Sequence, residues 1–346
     1  MISHPTPPLD LIEEMKQIRK IDLHRHLEGS LLPEAILTLA KKHHITLPAN
    51  SIDELRPLVQ VTEQDQTLLD FIKKFDVLAL LFKNKKIIQD ITCQVIQEAY
   101  EDHIYYLELR FAPTYMSGYW QLNYHDIIEG VLEGQELSKK DFPNILTRFI
   151  IIVNREAPLK TAKEMLRLGL TYRKNDIVGL DLAGDEQNYP PEIFQEVFQE
   201  AAQSNFFITI HAGEARGAEA VQTAVEKCRA VRIGHGVRIA GNSQIETLIR
   251  DKKIYLEVCP TSNVQTGAVR SWEKHPILHF LEEKIPLTIN TDDPGVSGIT
   301  LSHEYALLSD FYKIPVKTLQ SLCLSSVQAA FLPEQEKEKL KKLFAE

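Results

Sequence analysis

Cysteine is scarce and scattered in this chain. Cys93, Cys228, Cys259 and Cys323 lie far apart with no C-x-x-C pair, which excludes a disulfide framework and a thiolate zinc cluster and leaves them as reduced core residues. Long apolar runs are missing too: a stretch such as Val77 to Phe82 is far too short to span a bilayer. There is no basic run either. Lys and Arg number 39 against 48 Asp and Glu, for a net charge of −9, and the scattered cations argue against a nucleic-acid partner. A small neutral or weakly charged ligand fits better. The opening residues Met1 to Pro8 lack the basic start and apolar centre of a secretion signal, so the expected location is cytoplasmic, with no membrane partner. Low-complexity tracts and fixed-period repeats are also lacking.

What remains is ordinary globular usage, 44% apolar and 25% charged. A length of 346 residues suits a barrel of alternating strands and helices, read here as one domain over 1–346. Eight runs read as strands: the one opening at Lys20, then Ile104–Phe111, Leu146–Val153, Ile177–Leu182, Phe206–His211, Ala230–His235, Ile254–Cys259 and Leu287–Asp292. Most are apolar almost throughout, as strands buried on both faces of a parallel sheet are, and helical patterns such as Pro191 to Gln203 separate them. The expected fold is α/β, a (β/α)8 TIM barrel with a helical insertion after strand 1, at about 30–102. Ser30-Leu31-Leu32-Pro33-Glu34 reads as its helix start, with Ser30 as a cap. Insertions of this kind sit over the catalytic mouth of a barrel, so this one is expected to form a lid. Its Phe71 and Phe75 read either as helix packing or as lining for a pocket.

Parallel crossovers place every strand's C-terminal end on one rim, where polar residues read as chemistry. His24 and His26, spaced i and i+2, share a strand face and aim both imidazoles at one point. Asp181 ends strand four, His211 strand five, His235 strand six and Asp292 strand eight. Together His24, His26, His211 and Asp292 make a nitrogen and oxygen ligand set suited to zinc, with iron or another divalent ion as alternatives. Strand four carries no lysine to bridge a second metal, so one ion is expected. Glu214 stands three residues beyond His211 as a proton donor or acceptor, or else caps the following helix. His235 can orient the metal water, take its proton, or serve as a structural partner. Asp293 can hold the hydroxide or a substrate nitrogen, and Asp181 supports the site or ends a strand.

Six motifs in order, His24-Arg25-His26-Leu27-Glu28-Gly29, Asp181-Leu182-Ala183-Gly184-Asp185-Glu186, His211-Ala212-Gly213-Glu214, Gly234-His235-Gly236, Cys259 to Gly267 and Asn290 to Pro294, resemble the adenosine deaminase family of the amidohydrolase barrels. The resemblance implies zinc on His24, His26, His211 and Asp292, and a zinc-activated hydroxide attacking C6 of a 6-aminopurine nucleoside. It implies that Glu214 protonates ring N1, that His235 and Asp293 position and deprotonate the water, with Asp293 near N7, and that the Gly184 amide reaches N3. Glu28 departs from the family's usual aspartate, where the carboxylate holds a ribose hydroxyl. Glutamate there is familiar in adenine deaminases, whereas Thr261 to Gly267 resembles the nucleoside enzymes. Adenosine is therefore the expected substrate, with adenine or a futalosine-type modified adenosine as runners-up. A catalytically inactive adenosine-binding protein would be expected to lack a ligand or the proton donor, and this chain lacks neither.

Overall fold

The computed structural model describes residues 5–62, 65 and 68–345; the first four of the opening residues, Met1 to His4, and the side chains of Leu68, Leu69 and Ala345 lie outside the described residues. A short helix, α1 (Leu9–Lys16), precedes the first strand. Eight parallel strands follow: β1 (Lys20–His26), β2 (Ile104–Phe111), β3 (Leu146–Asn154), β4 (Ile177–Ala183), β5 (Phe207–Ala212), β6 (Arg232–His235), β7 (Tyr255–Val258) and β8 (Leu287–Ile289). Each pairs with the next in sequence order. This is the expected (β/α)8 barrel, and its strands coincide closely with the apolar runs because a parallel strand buried on both faces is largely apolar.

The ring closes where β8 is shortest. The ladder ends at Ile289, and the residues after it turn back to β1: Thr291 Oγ1 donates to Asp22 at 2.6 Å, and the Leu23 amide donates to Asn290 Oδ1 at 3.0 Å. A single bridge pairs Arg25 with Asp292, whose amide donates to the His24 carbonyl at 2.8 Å. Asp292 therefore lies three residues beyond the strand rather than at its last position, held at a φ of +64°. The aspartate's left-handed backbone aims its carboxyl back across the seam at the β1 histidines.

Between β1 and β2 run α2 (Pro33–Lys42), α3 (Ile52–Val59), α4 (Leu68–Leu78) and α5 (Lys85–Glu101). The last of these lies against β2 and against α7 (Tyr124–Asp141), which follows α6 (Pro113–Trp120), so it belongs to the outer helical ring. Ser30 does not cap α2. The N-cap is Leu32, and the Ser30 hydroxyl is already occupied, donating to the His26 carbonyl at 2.5 Å and accepting from Arg25 Nε at 3.0 Å. The Pro191 to Gln203 segment opens as a 3-10 turn and becomes α-helical from Gln195. Among the described residues, no helix is long and apolar enough to cross a membrane.

The barrel interior is ionic. Arg110, Glu257, Arg232 and Glu108, on β2, β7, β6 and β2, are all essentially fully buried. Arg110 donates to Asp181 at 2.9 Å and to Glu257 at 2.8 Å, while Arg232 Nε lies 2.6 Å from Glu257 Oε1 and its Nη2 donates to Glu108 at 2.5 Å. Carboxylates and guanidiniums alternate down the axis, so each buried charge faces one of opposite sign.

Candidate active site

Three histidines and one aspartate converge at the C-terminal rim. Side-chain ligand atoms of His24, His26, His211 and Asp292 all lie within 4.8 Å of one another. Strand pleating accounts for the first pair, since i and i+2 share a face. The far nitrogens are turned away by carboxylates: His24 Nδ1–H donates to Glu257 at 2.7 Å, and His211 Nδ1–H donates to Asp181 at 3.1 Å. Both rings thus present Nε2 lone pairs inward. Asp181, left open between two roles by the sequence, is the anchor of His211.

Burial drives the His211 pKa down to about 3, so the ring is neutral at any working pH. Burial alone would push the Asp181 carboxyl up, but His211 and Arg110 beside it hold it well below the usual range. Glu257 is likewise held low, with Arg110 and Arg232 outweighing its burial.

The donor set fits a divalent metal. His26 Nε2 and His211 Nε2 face each other at 3.3 Å, and Asp292 Oδ1 lies 3.1 and 3.2 Å from Nε2 of His24 and His26. Ligand atoms about 2.0–2.1 Å from a tetrahedral ion stand roughly 3.4 Å apart. A 3.3 Å separation is that of a hydrogen bond between the two rings when His26 carries its proton there, and of two ligands of one cation when both nitrogens are bare. The second Asp292 oxygen accepts from Ser262 Oγ at 2.7 Å, which fixes the carboxylate's rotation.

The candidate proton carriers stand beside this cluster. His235, at a φ of +62°, places Nε2 3.5 Å from Glu214 Oε2 and 3.9 Å from Asp292 Oδ2. Glu214 does not cap the helix after β5: that helix starts behind Gly217, and Glu214 Oε1 instead accepts from Thr266 Oγ1 at 3.1 Å. Its loop is held by Glu186, whose carboxylate accepts the amides of Gly213, Glu214, Ala215 and Arg216 at 2.6 to 3.2 Å. Asp293 is buried, and burial together with Asp292, Glu28 and Glu214 pushes its carboxyl well above the usual range. Gly29 makes room for it, since a Cβ there would lie 2.0 Å from Asp293 Oδ1.

Glu28 faces the same pocket. Its Oε1 accepts the Ala112 amide at 2.6 Å, Oε2 is buried with no hydrogen-bond partner among the described residues, and burial raises its pKa to about 7. Gly184 adopts a φ of +114°, and a Cβ there would meet the Glu156 carboxylate at 2.5 Å. Phe71 and Phe75 pack together with centroids 6.0 Å apart, and Phe75 meets Tyr115 edge-on at 6.1 Å. The Tyr115 hydroxyl donates to the Phe75 carbonyl at 2.5 Å, and its pKa is pushed up, chiefly by burial with help from Glu28 and Asp293.

Several residues here carry no role in the sequence reading: Glu257, Arg110, Glu186, Ser262, Asn263 and Tyr115. A charge inside the otherwise apolar run Tyr255-Leu256-Glu257-Val258 is a signal that could have marked Glu257. Ser262, Asn263 and Glu186 lie within the motifs already singled out.

Comparison with known proteins agrees with this geometry. A family model described as adenosine deaminase matches residues 19–346. The adenosine deaminase of Pectobacterium atrosepticum is 37% identical over 320 residues, covering 92% of this chain and 94% of that protein. That of Aliivibrio fischeri is 36% identical over 331 residues, covering 96% and 99%. Among solved structures, an adenine deaminase from Arthrobacter aurescens superposes with a TM-score of 0.86 at 26% identity, covering 95% of this chain and 98% of that one. An N6-methyl-AMP deaminase from Arabidopsis thaliana gives 0.83 at 26% identity, covering 96% and 98%. With a match over nearly its whole length and relatives well above a third identical, the chain belongs to the adenosine deaminase family.

Proposed function

We propose that this protein hydrolytically deaminates adenosine and 2′-deoxyadenosine to inosine or 2′-deoxyinosine and ammonia in the cytoplasm, using one zinc ion held by His24, His26, His211 and Asp292. The observation that carries this reading is the pairing of that ligand cluster with Glu214, 3.5 Å from His235 across the same pocket. When bound, such an ion lowers the pKa of water from about 15.7 to about 7, about 12 kcal/mol of acidification, and so supplies hydroxide near neutral pH.

This chain's residues do the rest. Hydroxide addition at C6 breaks purine aromaticity and builds negative charge on the ring; a proton from Glu214 to N1 neutralises it. The Thr266 hydroxyl and the Glu186-held loop keep the Glu214 carboxyl in place for that transfer. Asp293, with its raised proton affinity, holds the proton given up by the water beside N7 and delivers it to the departing amine. The Gly184 amide reaches N3. As ammonia leaves, the C6 hydroxyl gives its proton back to Glu214 and the ring regains its conjugation as the 6-oxo purine.

The helical insertion is read as the lid of this single domain. Gln60 Nε2 donates to the Gly295 carbonyl and the Val61 amide to the Val296 carbonyl, both at 2.8 Å, which fastens the insertion to the short helix Pro294–Ser297 after β8. Phe71 and Phe75 then face the sugar side of the pocket through Tyr115.

A second reading, adenine or a modified adenosine, is favoured by one residue. Glu28 brings an extra methylene and a free buried oxygen to the position that would meet the sugar. Purified zinc-loaded protein is expected to turn over adenosine, read as ammonia release and a change in ultraviolet absorbance. Turnover of adenine alone would replace the substrate and keep the chemistry. Glu214→Gln should keep zinc and lose most of kcat; retained activity would place the N1 proton donor elsewhere.

A further inference from the structure

His275 belongs to none of the groups above, yet it reaches the site. It follows the turn Trp272–Lys274 and is 5% exposed, in the loop leading to the helix Ile277–Glu282. Its two ring nitrogens have different partners. The Ile277 amide lies 3.2 Å from His275 Nδ1, and an amide can only donate, so Nδ1 must accept. Burial drives the His275 pKa down to about 3, so the ring is neutral and its one proton sits on Nε2. That nitrogen faces Asn263 Oδ1 at 3.4 Å. The contact fixes which way the Asn263 amide is turned, because its oxygen must take the donor. Its Nδ2 then lies 2.9 Å from His235 Nδ1. The Asn263 side chain is fully buried, and its main chain is tied on both sides, the amide donating to the Cys259 carbonyl at 2.9 Å and the carbonyl accepting the Val269 amide at 2.8 Å.

We infer that Ile277 N–H, His275 and Asn263 form a one-way hydrogen-bond chain that fixes His235 in the Nε2–H tautomer. His235 Nδ1 accepts, so Nε2 carries the proton and points it between Glu214 and Asp292, where the attacking oxygen must pass. In this state His235 donates to that oxygen and has no lone pair on that side with which to remove its proton. His275 and Asn263 are positioning residues for a reaction that rests on the function proposed above, and the direction of the chain originates in a backbone amide outside the barrel.

The test reads the tautomer directly, by two-bond 1H–15N spectra of the full-length protein labelled with 15N-histidine, with and without zinc, assigned by loss of the His235 signals in His235→Ala. Wild type should show a protonated Nε2 and an unprotonated Nδ1. Asn263→Asp presents a carboxylate that can only accept, and should move the His235 proton to Nδ1. Its kcat should fall about 10- to 100-fold, with KM and zinc stoichiometry near wild type. His275→Gln keeps an acceptor for Ile277 and a donor for Asn263, so it should retain the wild-type tautomer, whereas His275→Leu should lose it. A wild-type Nδ1–H signal, or an unchanged tautomer in both Asn263→Asp and His275→Leu, overturns the chain. A shifted tautomer with unchanged kcat overturns its catalytic purpose. Should Asn263→Asp fail to fold, the wild-type spectrum and His275→Leu decide the question. A protein that shows the Nε2–H signal but leaves adenosine untouched would refute the proposed substrate and not the chain.

Discussion

Replacing Glu257 by glutamine tests whether the ionic axis of the barrel and the metal site are one structure. Glu257 takes His24 Nδ1–H at 2.7 Å, Arg110 at 2.8 Å and the Thr209 hydroxyl at 2.9 Å, and Arg232 Nε lies 2.6 Å away, with all four side chains buried. Glutamine keeps the shape but removes the charge and turns an NH2 group toward one of the two guanidiniums, which can only donate. Stripping one partner from a buried ion pair costs about 3 to 5 kcal/mol. Arg110 still faces Asp181 and Arg232 still faces Glu108, so the expected loss is at the low end, about 3 kcal/mol. His24 loses its anionic acceptor, and such losses weaken metal affinity about 10- to 100-fold. Guanidinium unfolding of the metal-free protein reads the first effect, and zinc competition against a chromophoric chelator reads the second. Glu108→Gln is the control: it touches Arg232, Tyr106 and the Phe331 amide, so it should destabilise without changing zinc affinity. Stability of Glu257→Gln within about 1 kcal/mol of wild type, the net worth of an ordinary hydrogen bond, or equal zinc loss in both variants, would refute the coupling.

Two further outcomes are expected. Gly29→Ala would set a Cβ against Asp293 Oδ1 and displace that carboxyl, so kcat should fall on the order of 100-fold with zinc content unchanged; near-normal turnover would show that Asp293 is not needed where it stands. Glu304 accepts the Thr261 amide at 2.9 Å, and burial raises its pKa from 4.5 to about 8. The native state therefore holds a proton that the unfolded chain has released above 4.5, and stability from this group is full below 4.5 and lost as pH rises through about 8. At about 1.4 kcal/mol per tenfold in proton affinity, the loss is at most about 5 kcal/mol. Glu304→Gln should flatten the fall in metal-free stability between pH 5 and pH 8.5, and an unchanged pH dependence would show that the carboxyl is ionised in the native state.

The strands were legible because strands buried on both faces are mostly apolar, and among the charges they carry short of the rim Glu108, Arg110, Arg232 and Glu257 are paired with one another inside the barrel. The residues of the candidate metal site were legible for a related reason: His24 and His26 are two apart on a strand, and His211 and Asp292 stand where apolar runs stop. Ser30 was misread because a serine before a Pro-Glu pair has the pattern of a cap whether or not its hydroxyl is free; here His26 and Arg25 occupy it. Asp292 read as a strand end because Asn290 and Thr291 continue the run in sequence, yet both bond sideways to β1 and end the ladder early. The interior charges were invisible as a group, since Arg110, Arg232 and Glu257 come from three strands and only ring closure brings them into register.

By itself the sequence determined the barrel, the family and the four residues that cluster as a candidate metal site, all properties of local pattern: alternation, spacing and which residues end a run. Only the tertiary structure decided how those ligands are held. Which nitrogen His24 and His211 turn inward depends on Glu257 and Asp181, which lie 233 and 30 residues away, and His235 beside them meets Asn263, 28 residues on. A hydrogen bond between residues so far apart leaves no periodic trace in the chain, because its geometry exists only once the ring of strands has closed.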